Sequence, residues 1–379
     1  MNKFDYITYD VKVTTLSPLH IGTGHELMQN YDYAIHNGRT WRLDEVAFHE
    51  AQNVEDPSVM RQLMTLPPAQ LLRPEDFEDK EGRSFRYVIR GTPRSQQAGS
   101  ILREQIKTVD DEPYLPGSSL KGALRTALAW KGWEEKKLKP DRTKIDERRP
   151  KFAARDYEHA LFGNDPNHDL FRALLIGDST SSPADRLMLI NVRVMTSKGI
   201  GKDIPVEVEA IRPETVFNLP MKIDTRLFSE WAHQRKDFKL GGNPDWLLKM
   251  TGTLREHALV RIQRQLSWFR NRESVSLVSD FYSRLEKLSF SENQFIVHLG
   301  WGGGWDSKTL GSRLQDDSKF FDWLVVQPKL GMLRGKALAN RKPGSPFPST
   351  RRVAMKRGAD KEETVAAPLG WVLVELTEK

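Results

Sequence analysis

The sequence predicts an α+β fold, a sandwich in which strands from the two chain ends share one sheet and helices cover one of its faces. Three observations carry this. Residues 10–16 (Asp-Val-Lys-Val-Thr-Thr-Leu) alternate in strand fashion, and residues 371–376 form an apolar, β-branched run at the other end of the chain. Between them, helical periodicities over 120–128 and 254–269 are interleaved with hairpin signals.

Taken in chain order, the first strand ends at Ser17-Pro18 and runs into a loop from Leu19 to Glu26. Residues 31–36 and 39–43 flank Asn37-Gly38, a two-residue hairpin signal, because both positions of such a turn need positive φ. Asp44 is placed to cap a helix reaching about Gln52. Residues 53–113 are mixed and polar, with Pro67-Pro68 breaking a helical pattern, and yield no clear elements. A Pro116-Gly117-Ser118-Ser119 turn leads into a helix to about Trp130, with Ser118 or Ser119 as N-cap and Leu120, Ala123, Leu124, Ala127 and Leu128 as the buried stripe. A short helix over 154–162 ends at Gly163. Strands are predicted at 174–176, 187–195, 206–211 and 215–223, a helical stretch over 246–288, and a strand at 295–299 entering Gly300-Trp301-Gly302-Gly303-Gly304-Trp305. No tandem repeat of fixed period is present.

The 379 residues are 38% hydrophobic, enough for one large elaborated domain or two ordinary ones, with a net charge of +7. Distribution says more than the total. Residues 329–361 hold ten Lys/Arg against one acid, and residues 131–155 hold ten against five, so the remainder is net acidic. Concentrated positive charge suits a polyphosphate, since each neutralised phosphate releases condensed counterions; basic runs are also often merely solvated. The absence of cysteine removes disulfides, thiolate metal sites and cysteine nucleophiles, and fits a reducing cytoplasm. Neither an apolar leader nor an uncharged run of membrane-spanning length is found, so a soluble cytoplasmic protein is expected.

Three segments could carry chemistry. Lys121 and Arg125 share one helical face just after a helix start, where free N–H groups and the helix dipole already favour an anion. The order Gly117-Ser118-Ser119-Leu120-Lys121-Gly122 is not a Walker loop. The alternative is a capped core helix with two solvated cations. In His20-Ile21-Gly22-Thr23-Gly24-His25, paired glycines allow close backbone approach to phosphates or sugars. His20 and His25 can act as an acid/base pair or as half of a metal site, but further metal ligands are lacking. In the third segment, Gly302, Gly303 and Gly304 lie beside Trp301, Trp305 and Lys308, which suits stacked single-stranded RNA; tryptophans turned into the core are the structural alternative. Asp32, Asp44, Asp178 and Asp306 each sit near a turn and form no obvious catalytic pair. No cofactor or metal is expected.

In the order strand, Ser17-Pro18-Leu19-His20-Ile21-Gly22-Thr23-Gly24, Leu115-Pro116-Gly117-Ser118-Ser119-Leu120-Lys121-Gly122-Ala123-Leu124-Arg125, then a late glycine-rich loop, the chain resembles the RAMP superfamily of CRISPR proteins. Gly177-Asp178-Ser179, the segment from Glu209 to Phe217, and Pro368-Leu369-Gly370-Trp371 add to it. Size and order look closest to the terminal backbone subunits of type III-A Csm effectors, which cap the 3′ side of the guide RNA. The resemblance covers most of the chain, although residues 53–113 and 224–290 contribute little.

The resemblance implies a ferredoxin-like, RNA-recognition-motif-like core with helical and basic insertions. That core would span 1–230, including the insertion 131–155 and a thumb hairpin 192–211 with Lys198 and Lys202 at its tip. A helical region 231–290 and a C-terminal part 291–379 would follow. The implied function is non-catalytic: guide-RNA capping, support of guide maturation and target-RNA binding in antiviral defence. Implied partners are guide (crRNA) and target RNA, a neighbouring RAMP backbone subunit and a small helical subunit, without a membrane. The implied RNA contacts are His20, Gly22, Thr23, Gly24, Ser118, Ser119, Lys121, Arg125, Lys198, Lys202, Gly302, Gly303, Gly304, Trp305, Lys308, Arg351 and Arg352. No residue match transfers the target-cutting loop aspartate of the stacked backbone subunits. The alternative is a metal-independent endoribonuclease that processes CRISPR transcripts, with His20 or His25 as general base.

Overall fold

The computed structural model describes residues 5–78, 84–95, 97, 99–201, 205–270, 272, 275–357 and 362–379. Among these, strands form two sheets. The first has the order Gln294–His298, Trp371–Glu378, Tyr6–Thr15, Val216–Asp224, Leu174–Ile176, with all neighbours antiparallel. The chain ends therefore lie side by side, Val11 opposite Leu376 and Val13 opposite Val374. Period-2 alternation turns Val11, Val13, Phe217, Leu219, Val372 and Val374 to one face, all essentially without exposure. Helices Gly117–Glu135 and Met250–Phe269 cover that face through Leu120, Leu124, Leu128 and Leu254.

The second sheet is built around the antiparallel pair Leu187–Thr196 and Val206–Ile211, registered from Ile211 against Leu187 to Val206 against Val192. Ile101–Gln105 joins Val206–Ile211 in parallel, and Gly22–Met28 pairs with Ile101–Gln105. On the other side Leu187–Thr196 meets Phe85–Arg90 and the basic strand Arg351–Arg357. The two sheets are stitched at one seam. Leu19 and Ile211 exchange backbone hydrogen bonds (3.0 and 2.7 Å), Trp301 N–H donates to the His20 carbonyl (2.8 Å), and Gly370 N–H donates to the Pro18 carbonyl (2.8 Å).

Several expectations hold in detail. Asn37 and Gly38 have φ of 47° and 72°, joining Tyr33–His36 to Arg39–Leu43. Asp44 accepts from the Ala47 N–H at 3.0 Å and caps Glu45–Glu50. Others are corrected. The segment read as a loop at 19–26 is largely strand Gly22–Met28, because its partner Ile101–Gln105 lies in the span that showed no pattern. The helix starts at Gly117, with Pro116 rather than a serine at the N-cap, and runs on to Glu135, since Gly132 can press against the Trp246 ring. The stretch 246–288 divides into Asp245–Leu248, Met250–Phe269 and Ser276–Glu286.

Candidate nucleic-acid interface

The start of the Gly117 helix is fixed by the turn after strand Leu174–Ile176. Asp178 accepts from the Gly117 N–H at 2.8 Å, so the positive end of the helix already holds a carboxylate. Ser179 closes the joint: its hydroxyl accepts from Leu115 N–H (2.8 Å) and its own N–H donates to the Leu115 carbonyl (3.0 Å). A Cβ at position 117 would overlap the carbonyl oxygens of Ile176 and Gly177, so only glycine fits. Two motifs that are 61 residues apart in sequence are thus one structural unit.

Lys121 and Arg125 both have internal partners. Lys121 Nζ donates to the Leu174 carbonyl at 2.7 Å, and partial burial lowers its pKa. Arg125 pairs with Asp169 at 2.8 Å and lies over the rings of Phe162 (4.2 Å) and Phe171 (5.2 Å). Asp169 in turn caps the turn Leu170–Ala173. Both side chains are only partly exposed and are drawn towards these partners. Together they brace the helix against the sheet edge and the Leu170 turn, with Arg125 contributing about 2 kcal/mol.

His20 is buried, and its Nδ1 donates to the Glu209 carbonyl at 2.7 Å. Burial pushes its pKa down to about 4. It is a neutral seam residue, edge-on to Trp301 at 6.0 Å, which leaves the ring unavailable to activate a 2′-hydroxyl. His25 is exposed, 3.9 Å from Glu104, and Thr23 donates to the same carboxylate at 3.2 Å. Gly22 abuts the His20 ring, while Gly24 has φ of 93° and an open outer side.

The glycine-rich loop is partly interior. A Cβ at Gly303 would overlap the buried His298 ring, and one at Gly302 would meet Leu369; Gly304 faces outwards. Trp305 is a packing residue, 5.7 Å from Phe321 and 5.3 Å from Phe347, and its ring fills the space above Gly311. The expected stacking surface at Trp305 is therefore replaced by a satellite core. Lys308 is exposed. Arg351 is held by Gln265 (2.7 Å) and by the Pro348 and Thr350 carbonyls, whereas exposed Arg352 lies over Trp301 at 4.9 Å.

Convergence is the main geometric result. Ile21, Gly22, Ser118, Ser119, Gly122, Ala123, Thr126, Gly300, Trp301 and Lys308 line one groove of about 450 Å³. Ser118 and Gly122 are exposed along its floor, and nothing lies within reach of a Cβ at Gly122. Small hydroxyl-bearing and glycine residues admit a nucleic-acid backbone closely, and Lys308 adds a cation at the rim. Just beyond, Arg103 and Arg352 both lie over the Trp301 ring, at 5.4 and 4.9 Å. Arg103 was not readable from sequence, because it sits in the patternless span. Lys198 is exposed at the tip of the Leu187–Thr196 hairpin, where Thr196 Oγ1 donates to the Gly199 carbonyl; Lys202 lies outside the described residues.

Three histidines are buried and neutral, with burial pushing His20 to about 4 and His257 and His298 to about 3. The unfolded chain takes up these protons near pH 6.5, but the folded one does not. Stability is therefore full above that pH and is lost as pH falls towards about 4 for His20 and about 3 for His257 and His298, by about 1.4 kcal/mol per histidine per pH unit. Urea midpoints measured from pH 7.5 down to about pH 5 are expected to fall steeply, and a flat profile would contradict the burial.

Among the described residues no helix is long and apolar enough to cross a membrane, and no group of three or more His, Cys, Asp or Glu could hold a metal ion. The RAMP superfamily profile matches residues 12–305. The CRISPR system Cms protein Csm5 of Methanocaldococcus jannaschii is 26% identical, covering 98% of this chain and 90% of that protein. The protein of the same name from Streptococcus thermophilus is 26% identical over 62% of this chain and 71% of its own length. Among solved structures, a chain of a type III-A Csm–crRNA–target RNA ternary complex superposes with a TM-score of 0.73 at 25% identity, covering 97% of this chain and all of that one. Csm5 of T. onnurineus superposes with a TM-score of 0.61 at 21% identity, over 95% and 99% of the two chains.

Proposed function

The chain belongs to the RAMP superfamily, and from that premise we propose that it is the RNA-binding subunit of a type III-A Csm interference complex that caps the 3′ side of the guide RNA without cutting it. The observation that carries this reading is the groove. Three sequence segments scattered from Ile21 to Lys308 meet there, and they are the segments that resemble the family motifs. The likeness to relatives named Csm5 and to a chain of a Csm–crRNA–target RNA complex supports the same assembly. Guide RNA, target RNA and neighbouring Csm subunits are then its partners, and the cytoplasm its place of action.

The sheet order Trp371–Glu378, Tyr6–Thr15, Val216–Asp224, Leu174–Ile176 takes the fourth, first, third and second strands of a βαββαβ unit, which supports the ferredoxin-like reading of the core. The Leu187–Thr196 and Val206–Ile211 hairpin is assigned as the thumb, with Lys198 at its tip. In the groove, Ser118, Ser119 and Gly122 would receive the sugar-phosphate chain, Gly22 and Gly24 its flank, and Lys308 and Arg352 its charge. His20, neutral and buried, does not face this path, which leaves exposed His25 as the histidine to test. Incubating the purified chain with repeat-containing RNA in EDTA is expected to give a mobility shift and intact RNA. Site-specific cleavage that disappears in a His25→Ala variant would overturn the non-catalytic assignment.

A further inference from the structure

A second positively charged groove lies at the far end of the Gly117 helix. A 19-residue helix is about 28 Å long, so this groove is well separated from the Ser118 end. Lys137, Lys139, Arg142 and Lys144, from the basic insertion, form one wall; Lys319, on helix Ser318–Val325, faces them across about 690 Å³. All five cations are exposed, and none makes an ion pair among the described residues. Two carboxylates also line the groove, Asp141, which accepts from the Thr143 N–H and hydroxyl (2.9 and 2.7 Å), and Asp317, which accepts from the Phe320 N–H (2.9 Å), so the cations outnumber the anions by five to two.

This insertion is not a loose solvated run. The Tyr157 hydroxyl, on a buried side chain, accepts from the Asp141 N–H at 2.7 Å and lies 3.2 Å from the Lys139 carbonyl. Ile145 packs on the Phe320–Val325 core, and the Arg142 guanidinium lies over Trp323 at 5.0 Å. Two chain segments far apart in sequence are thus locked together to present five exposed cations against two carboxylates around one open groove. Like charges held this close are costly unless a polyanion joins them, and ordering them in advance lowers the entropy lost on binding.

We propose that this groove is a second sugar-phosphate binding surface, taking a single-stranded stretch of RNA whose other part lies in the Ser118 groove. The inference rests on the chain being an RNA-binding subunit, and it gives the basic insertion its role. The test uses the full chain and a fluorescent single-stranded RNA long enough to span both grooves, titrated over a salt series. The fourfold variant Lys137→Gln, Lys139→Gln, Lys144→Gln, Lys319→Gln is expected to lose about tenfold or more in affinity at low salt. Its log-affinity against log-salt slope is expected to be shallower by up to about 3, since each single-strand phosphate contact contributes about 0.7.

The fourfold Lys→Arg variant is expected to bind as the unmodified chain does, and weakening there would mean a structural effect and overturn the proposal. A Gln variant with unchanged affinity and slope, beside a weakened Lys308→Gln, Arg352→Gln variant, overturns this groove while leaving the Ser118 interface standing. A weakened fourfold variant beside an unaffected Lys308/Arg352 variant supports this groove and instead removes the Ser118 assignment. Repeating the titration with the guide paired to target distinguishes the two strands as the source of the phosphates.

Discussion

Gly117→Ala is expected to destabilise the protein by about 3 kcal/mol or more and to abolish RNA binding with it. The added Cβ meets the backbone carbonyls of Ile176 and Gly177, which belong to a sheet edge strand and its turn and cannot step aside as a side chain could. The Asp178 cap and the Ser179 clasp would open together, and the groove floor would lose its anchor. Gly122 is the instructive contrast. It lies on the same helix, exposed, with nothing near a prospective Cβ. Gly122→Ala is expected to raise stability by up to about 1 kcal/mol through helix propensity alone. Gly122→Leu should fold as well but fill the groove and reduce RNA affinity. Urea unfolding and RNA titration of the three variants separate a glycine kept for packing from one kept for approach. Equal stability of Gly117→Ala and the unmodified chain would refute the packing argument.

Loss of the rim charges is the second large effect. Lys308→Gln combined with Arg352→Gln is expected to cost about tenfold in RNA affinity at low salt, across all RNA sequences. The salt slope should become shallower by about 1.4, the contribution of two single-strand phosphates. The physical reason is placement. Lys308 is exposed at the groove lined by Ser118 and Gly122, and Arg352 is exposed beside it, stacked on Trp301. Lys121→Gln and Arg125→Gln should behave differently, lowering the unfolding midpoint while leaving the salt slope nearly unchanged, because both side chains are drawn inwards, Lys121 to the Leu174 carbonyl and Arg125 to Asp169 and two phenyl rings. A slope change for Lys121/Arg125 and none for Lys308/Arg352 would reverse the assignment.

What was legible in the sequence is what is locally determined. The Asn37-Gly38 hairpin, the Asp44 cap and the strands Leu187–Thr196 and Val206–Ile211 follow from turn chemistry and period-2 patterning within a few residues. Pairing of the terminal strands followed from their shared pattern. What escaped depends on distant partners. Strand Gly22–Met28 has no alternation of its own and exists because Ile101–Gln105 pairs with it. The two motif cations looked free because Asp169, the partner of Arg125, lies 44 residues on, and Leu174 O, that of Lys121, lies 53 on. Trp305 looked like a stacking platform because the ring's neighbours, Phe321 and Phe347, come from a segment with little pattern to read. The three motif segments line one groove, but which of their side chains face outwards is a tertiary fact.

This division has a functional logic. Motif residues with internal partners, such as Gly117, Asp178, Arg125, His20 and Gly303, hold the groove's walls in place. The groove's floor is left to small, uncharged residues, with Trp301 and cations at its margin, an arrangement suited to a sugar-phosphate backbone.

Photo-crosslinking of a thiouridine-substituted guide RNA within the reconstituted effector complex, followed by mapping of the modified peptides, addresses the interface most directly. Crosslinks on peptides carrying Gly22, Ser118–Gly122 and Trp301–Lys308 are the expected result. Crosslinks that avoid all three, and fall instead on the sheet face opposite the helices, would contradict it.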